Sequence, residues 1–67
     1  MKKVESSNIA AIGYKDGVLS VEFKSGATYD YHGVSPDLHA QFMSADSHGR
    51  FFSQHIRPKF DGKKRDK

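Results

Sequence analysis

Asp16-Gly17 lies between two apolar-rich runs and constrains this chain more than any other pair of residues. Asp-Gly suits a two-residue hairpin turn, because both central positions of such a turn need positive φ. Residues 18–24 read Val-Leu-Ser-Val-Glu-Phe-Lys. Leu19, Val21 and Phe23 alternate with Ser20, Glu22 and Lys24, the period of a half-buried strand. Residues 9–15 supply the partner strand. A two-residue turn pairs Tyr14 with Leu19, Ile12 with Val21 and Ala10 with Phe23. All six then share one face, as a core-facing sheet requires. A three-residue loop at residues 15–17 would pair Tyr14 with Val18 and Ile12 with Ser20, which mixes the faces.

A third strand is predicted over residues 27–32. Its register decides where Tyr29 and Tyr31 point. A two-residue Ser25-Gly26 turn pairs Tyr29 with Glu22 and turns both tyrosines away from the core. A three-residue loop, Lys24-Ser25-Gly26, pairs Val21 with Tyr29 and Leu19 with Tyr31, and places Gly26 at the left-handed position that closes such a loop. Serine is a poor residue for positive φ, so the longer loop is favoured. The helix-free face then carries Ser20, Glu22, Thr28, Asp30 and His32: polar, with two acids.

Beyond Gly33 the alternation stops. Ser35-Pro36-Asp37 opens a helix, with Ser35 as N-cap, proline at the first helical position and an acid at the positive end of the dipole. Leu38, Phe42 and Ala45 form its apolar stripe, with Met43 near the edge. After Ser47-His48-Gly49 a second short helix is predicted from about residue 49 to residue 55, burying Phe52 and Ile56. Arg57 precedes Pro58, which disfavours helix there. The predicted fold is therefore α+β: a three-stranded antiparallel β-meander followed by two short helices packed on one face. Residues 1–60 form a single domain, and residues 61–67 are expected to be a disordered basic tail.

Sixty-seven residues make one small domain, which excludes a large enzyme with a deep enclosed pocket. With no cysteine there is no disulfide, thiolate zinc site or cysteine nucleophile. The four histidines are spaced 7, 9 and 7 apart, with no i, i+4 pair, so no metal is expected. No carboxylate pair or Gly-rich phosphate loop suggests catalysis or a cofactor. No apolar run approaches the roughly 20 residues a bilayer span needs, and the N-terminus lacks the apolar stretch of a signal peptide. A cytoplasmic, non-enzymatic protein that makes no membrane contact is expected.

The charge is uneven. From Arg57 onward six basic residues face two acids, a net +4, whereas residues 1–56 carry five basic and six acidic residues, a net −1. Such a tail either attracts polyanions or simply keeps the terminus solvated.

Several segments together resemble the KTSC domain family: Ser6-Ser7-Asn8-Ile9 leading to Ile12-Gly13-Tyr14, then Leu19 to Phe23, Gly26, the Tyr29-Asp30-Tyr31 motif, Val34 and Pro36, Ala45, Ser47 and Gly49, Phe51-Phe52 and Ile56-Arg57. That family is named for the C-terminus of some lysyl-tRNA synthetases and also occurs as stand-alone bacterial and phage proteins. The resemblance covers about residues 5–60. It implies a link to RNA, through association with the synthetase.

The candidate nucleic-acid-binding residues are Tyr29, Tyr31, Arg50, Arg57, Lys59, Lys63, Lys64 and Arg65. Tyrosines two apart on a strand can stack bases, or they can belong to the core, which the strand parity favours. Arg57 can contact phosphate, cap the second helix or pair with an acid. Ser47, His48 and Gly49 are a weaker candidate for anion binding at a helix N-terminus, against a plain N-cap and turn. The two expected partners are RNA or another single-stranded nucleic acid and, alternatively, a protein bound at a sheet edge or on the helix pair.

Overall fold

A computed structural model describes residues 2–4 and 6–65. Its chain order is β1 (Lys2–Lys3), β2 (Ile9–Lys15), β3 (Val18–Phe23), β4 (Thr28–His32), α1 (Pro36–Ser44), α2 (His48–Phe51), a π-helical turn (Phe52–Ile56) and β5 (Gly62–Lys64). The architecture is α+β, as expected, but the sheet has five antiparallel strands in the order β1-β2-β3-β4-β5, not three. The two added strands are the edges. They are two and three residues long and exposed, so they carry no apolar alternation to betray them. β5 also corrects the expectation of a disordered tail from residue 61 for its three residues. Asp66 and Lys67 lie outside the described residues.

The central hairpin follows the parity of its sequence. Tyr14 pairs with Leu19 and Ile12 with Val21. Asp16 and Gly17 have φ of 53° and 78°, the left-handed pair a tight two-residue turn demands. The far end differs from expectation. Phe23 pairs with Ile9, not Ala10, because the register shifts between Ile9 and Ala11. The extra residue at the shift turns Ile9 inward, where it is fully buried. Without it the face would carry alanine instead of isoleucine; burying a whole isoleucine side chain contributes about 1.5–3 kcal/mol. Ser6 steadies the entry, its Oγ accepting from the backbone N–H of Asn8 and Ile9 at 3.3 Å each.

The second hairpin uses the three-residue loop. Val21 pairs with Tyr29 and Leu19 with Tyr31, and Gly26 has φ of 100°. The Gly26 N–H donates to Phe23 O at 2.9 Å. Both tyrosines therefore face the helices.

Ser35 caps α1, its Oγ accepting from Leu38 N–H at 3.2 Å. Phe42 on α1 is fully buried, with Leu38 and Met43 packed beside it. The second helix departs from the predicted single element. One α-turn passes into a π-turn, closed by the Arg57 N–H donating to Phe52 O at 2.9 Å, and Pro58 ends the ladder. Phe52 and Ile56 both reach the core. The N–H groups of Lys59 and Phe60 then fold back onto Ile56 O, which brings Phe60 against the body. Val34 ties the halves together: its N–H donates to Gly17 O, and its carbonyl accepts from the Tyr14 hydroxyl at 2.5 Å. Among the described residues no helix is long and apolar enough to cross a membrane.

Candidate nucleic-acid interface

At the Phe23 end of the sheet, β3 and β4 meet the π-turn and leave a groove of two adjoining clefts. The first, about 410 Å³, is lined by Phe23, Tyr29, Tyr31, Phe52, Phe60 and Gly62, with Arg57. The second, about 350 Å³, shares Phe23, Phe52 and Arg57 and adds the polar groups of Asn8, Lys24, Ser25 and Ser53. The first is lined mainly by rings, the second by two rings together with Lys24, Asn8 and two serines, and Arg57 borders both.

The aromatic half is built edge to face. Phe23 meets Tyr29 at 5.8 Å and 79°, and Phe52 at 5.4 Å and 73°; Tyr31 meets Phe52 at 5.4 Å and 77°. These arrangements set the positive ring edge against a neighbour's negative face. Phe60 is half-buried in the same cleft and joins no ring pair among the described residues. Gly62 lets β5 run directly over Tyr31. Burial raises the Tyr31 hydroxyl above its ordinary value of 10.0; Tyr29 adds to that and Arg57 opposes it. Tyr31 is buried in the core, whereas Tyr29 is only half-buried and lines the cleft.

The structure divides the predicted basic set. Arg57 is exposed at the end of the π-turn and reaches the groove with its side chain, while its backbone closes the turn. Lys64 pairs with Tyr29 and so lies on the groove side of the sheet; Lys63 pairs with Asp30 and lies on the other side. Arg50 lines a different depression with Asp46, Phe51 and Gln54, one helical step away from Gly49 and Ser53. Lys59 is exposed and lines neither cleft of the groove.

Arg65 does something else. Its Nη2 donates to Asp30 Oδ1 at 2.6 Å and to Ser20 Oγ at 2.8 Å, and its Nε donates to Asp30 Oδ2 at 3.2 Å. The Ser20 hydroxyl donates to the same Asp30 Oδ1 at 2.6 Å. The Arg65 N–H donates to Thr28 O at 2.7 Å. The Arg65 guanidinium, then the Ser20 hydroxyl, hold the Asp30 carboxyl below its ordinary value of 3.8. This is the one ion pair among the described residues. It fastens β5 to the helix-free face and neutralises one of the two acids predicted there.

Ser47 is likewise occupied structurally, whereas the buried Nδ1 of His48 has no hydrogen-bond partner among the described residues. Ser47 Oγ accepts from Arg50 N–H at 3.2 Å as an N-cap. His48 packs its ring against Phe42 at 5.9 Å, and Gly49 lines the polar cleft. With the helix only four residues long and its cap oxygen engaged, the plain-cap alternative fits.

Residues that sequence reasoning did not single out complete the groove: Phe23, Lys24, Ser53 and Phe60. Their meeting depends on β3, the π-turn and the final turn folding together, and no local pattern records that.

The KTSC domain model matches residues 5–60. The chain belongs to the KTSC domain family. A KTSC domain protein of Yersinia pestis, solved by crystallography, is 44% identical and superposes with a TM-score of 0.89, covering 97% of this chain and 94% of that one. A protein of Tsukamurella paurometabola is 40% identical over 62 residues, 90% of this KTSC domain and 92% of that protein. An uncharacterised protein of Stutzerimonas stutzeri is 42% identical over 62 residues, 87% of each. A lysine–tRNA ligase of Nostoc punctiforme is 37% identical over 60 residues, which is 87% of this KTSC domain but 11% of the ligase. The same module thus stands alone or forms a small part of a large enzyme.

Proposed function

We propose that this KTSC domain is a non-enzymatic module that binds single-stranded nucleic acid, RNA foremost, in the groove around Arg57. The observation that carries this is the position of Arg57 between an aromatic cleft and a cationic one. Single-stranded nucleic acid offers that pairing of chemistry, with flat apolar bases alternating with anionic phosphates. Among the described residues Arg57 makes no ion pair, so its charge is available to a ligand. The similarity to a segment of a tRNA ligase supports RNA as the polymer.

Strand addition at a sheet edge is less well supported. Both edge strands are very short and carry Lys2 and Lys3 or Lys63 and Lys64, the devices that discourage edge pairing.

The test is an NMR titration of the full chain with a mixed-sequence single-stranded RNA at low and moderate salt. Shifts at Tyr29, Lys24 and Arg57 that persist at moderate salt support the groove. Contacts from Lys24 and Arg57 correspond to a log–log salt slope of about −1.4, at about −0.7 for each phosphate contact. Shifts confined to Lys63–Lys67 that vanish with salt would reduce the effect to terminal attraction. No shifts at all would send the search to a protein partner.

A further inference from the structure

We infer that the groove is built for one unstacked nucleotide, with the base in the aromatic cleft, the phosphate in the polar cleft, and Arg57 bridging the two. This rests on the nucleic-acid reading above and specifies what the site takes.

Three features lead there. The clefts adjoin, sharing Phe23, Phe52 and Arg57, so a ligand filling both must join a flat apolar part to an anionic part over a short distance. The aromatic cleft, about 410 Å³, has the size of a small-molecule site, not of a track for a polymer. It also holds a ring with no ring neighbour, Phe60, beside the half-buried Tyr29. The other rings of the cleft, Tyr29 included, are already paired edge to face, so an incoming base finds its free ring surface at Phe60.

The polar cleft supplies the complement. Lys24 leaves β3 at the start of the loop, where its N–H donates to Asn8 O at 2.9 Å, and it lines the cleft with Ser53. Lys24 and Arg57 are two cations, enough for a singly charged phosphodiester or a terminal phosphate. Arg57 suits the shared position because a guanidinium can hydrogen-bond phosphate oxygens and stack on a ring at once.

The groove does not extend this pattern. Arg50, Lys59, Lys63 and the Arg65–Asp30 pair all lie outside it, and Lys64, on the same side of the sheet, lines neither cleft, so no line of cations leads away for a second and third phosphate. The site therefore reads one nucleotide, at a chain end or flipped out of a loop, rather than a run of bases.

The experiment is an NMR titration of the full 67-residue chain with five separate probes: adenosine 5′-monophosphate, uridine 5′-monophosphate, the two nucleosides, and inorganic phosphate. The mixed-sequence RNA is run in parallel. The monophosphates are expected to shift the ring resonances of Tyr29 and Phe60 together with the backbone of Lys24, Ser53 and Arg57. They should bind at least about ten-fold more tightly than phosphate alone, which is the worth of one base stack, and more tightly than the nucleosides by the contribution of the phosphate contacts. Lys24→Ala should reduce monophosphate affinity to that of the nucleoside, and Phe60→Leu should reduce it to that of phosphate. Both residues are partly or wholly exposed, and retained amide dispersion checks that each variant folds. If RNA perturbs the groove but the monophosphates bind no better than phosphate, the one-nucleotide assignment is overturned and the nucleic-acid reading stands. If RNA leaves the groove unperturbed as well, both fall.

Discussion

The backbone of Gly62 lies against the ring of Tyr31: a Cβ at Gly62 would stand 2.6 Å from Tyr31 Cε2 and 2.7 Å from its hydroxyl oxygen. The contact joins the last strand to the centre of the sheet and forms one border of the aromatic cleft. Tyr31 cannot yield easily, because it is buried against Phe52.

Gly62→Ala should therefore lift β5 away from β4. Such overpacking costs about 1–3 kcal/mol, or several degrees in Tm for a domain of this size. Urea unfolding monitored by circular dichroism measures it. Wild-type stability in the alanine variant would show that β5 can shift without loss.

Asp30→Asn should loosen β5 from the opposite face, by removing the carboxylate that Arg65 grips through two nitrogens. The pH dependence has a definite sign. The folded-state value of Asp30 is depressed, so its contribution is present above the ordinary value of 3.8 and is lost as pH falls through the folded value. Protection of the Arg65 amide, bonded to Thr28 O, should fall relative to the intrinsic exchange rate in acid for the wild type. In Asp30→Asn the exchange should be fast, relative to the intrinsic rate, at every pH.

Tyr14→Phe should cost about 1 kcal/mol, because the half-buried hydroxyl donates to the Val34 carbonyl that leads into α1. The ring should keep its stack on His39, 4.5 Å away. Thermal unfolding of this variant beside the wild type checks the loss.

Arg57→Ala and Arg50→Ala form a matched pair of exposed substitutions. Neither should change stability by more than about 0.5 kcal/mol. Arg57→Ala should weaken single-stranded RNA binding and make the log–log salt slope less steep by about 0.7, and Arg50→Ala should do neither. Fluorescence anisotropy across a salt series distinguishes them. Equal effects would mean that binding follows overall charge and not the groove.

Much of the fold was legible in local sequence because strand parity and turn chemistry are local properties. Asp16-Gly17 determined the first hairpin, since few residue pairs accept two positive φ angles. Gly26 determined the second, and with it the inward direction of Tyr29 and Tyr31. Ser35-Pro36 marked the start of α1. The family, too, was visible in the order of its motifs.

Tertiary structure alone decided the rest. The register shift that turns Ile9 inward is driven by burial against the helices, which strand alternation cannot register. β5 carries no apolar pattern, because its place depends on Gly62 over Tyr31 and on Arg65 reaching Asp30, 35 residues away in the chain. For the same reason a basic cluster that is continuous in sequence is divided in space. Arg65 spends its charge on the fold, Lys63 and Lys64 point to opposite faces, and Arg57 joins Phe23, Lys24 and Phe60 across distances that only chain folding closes.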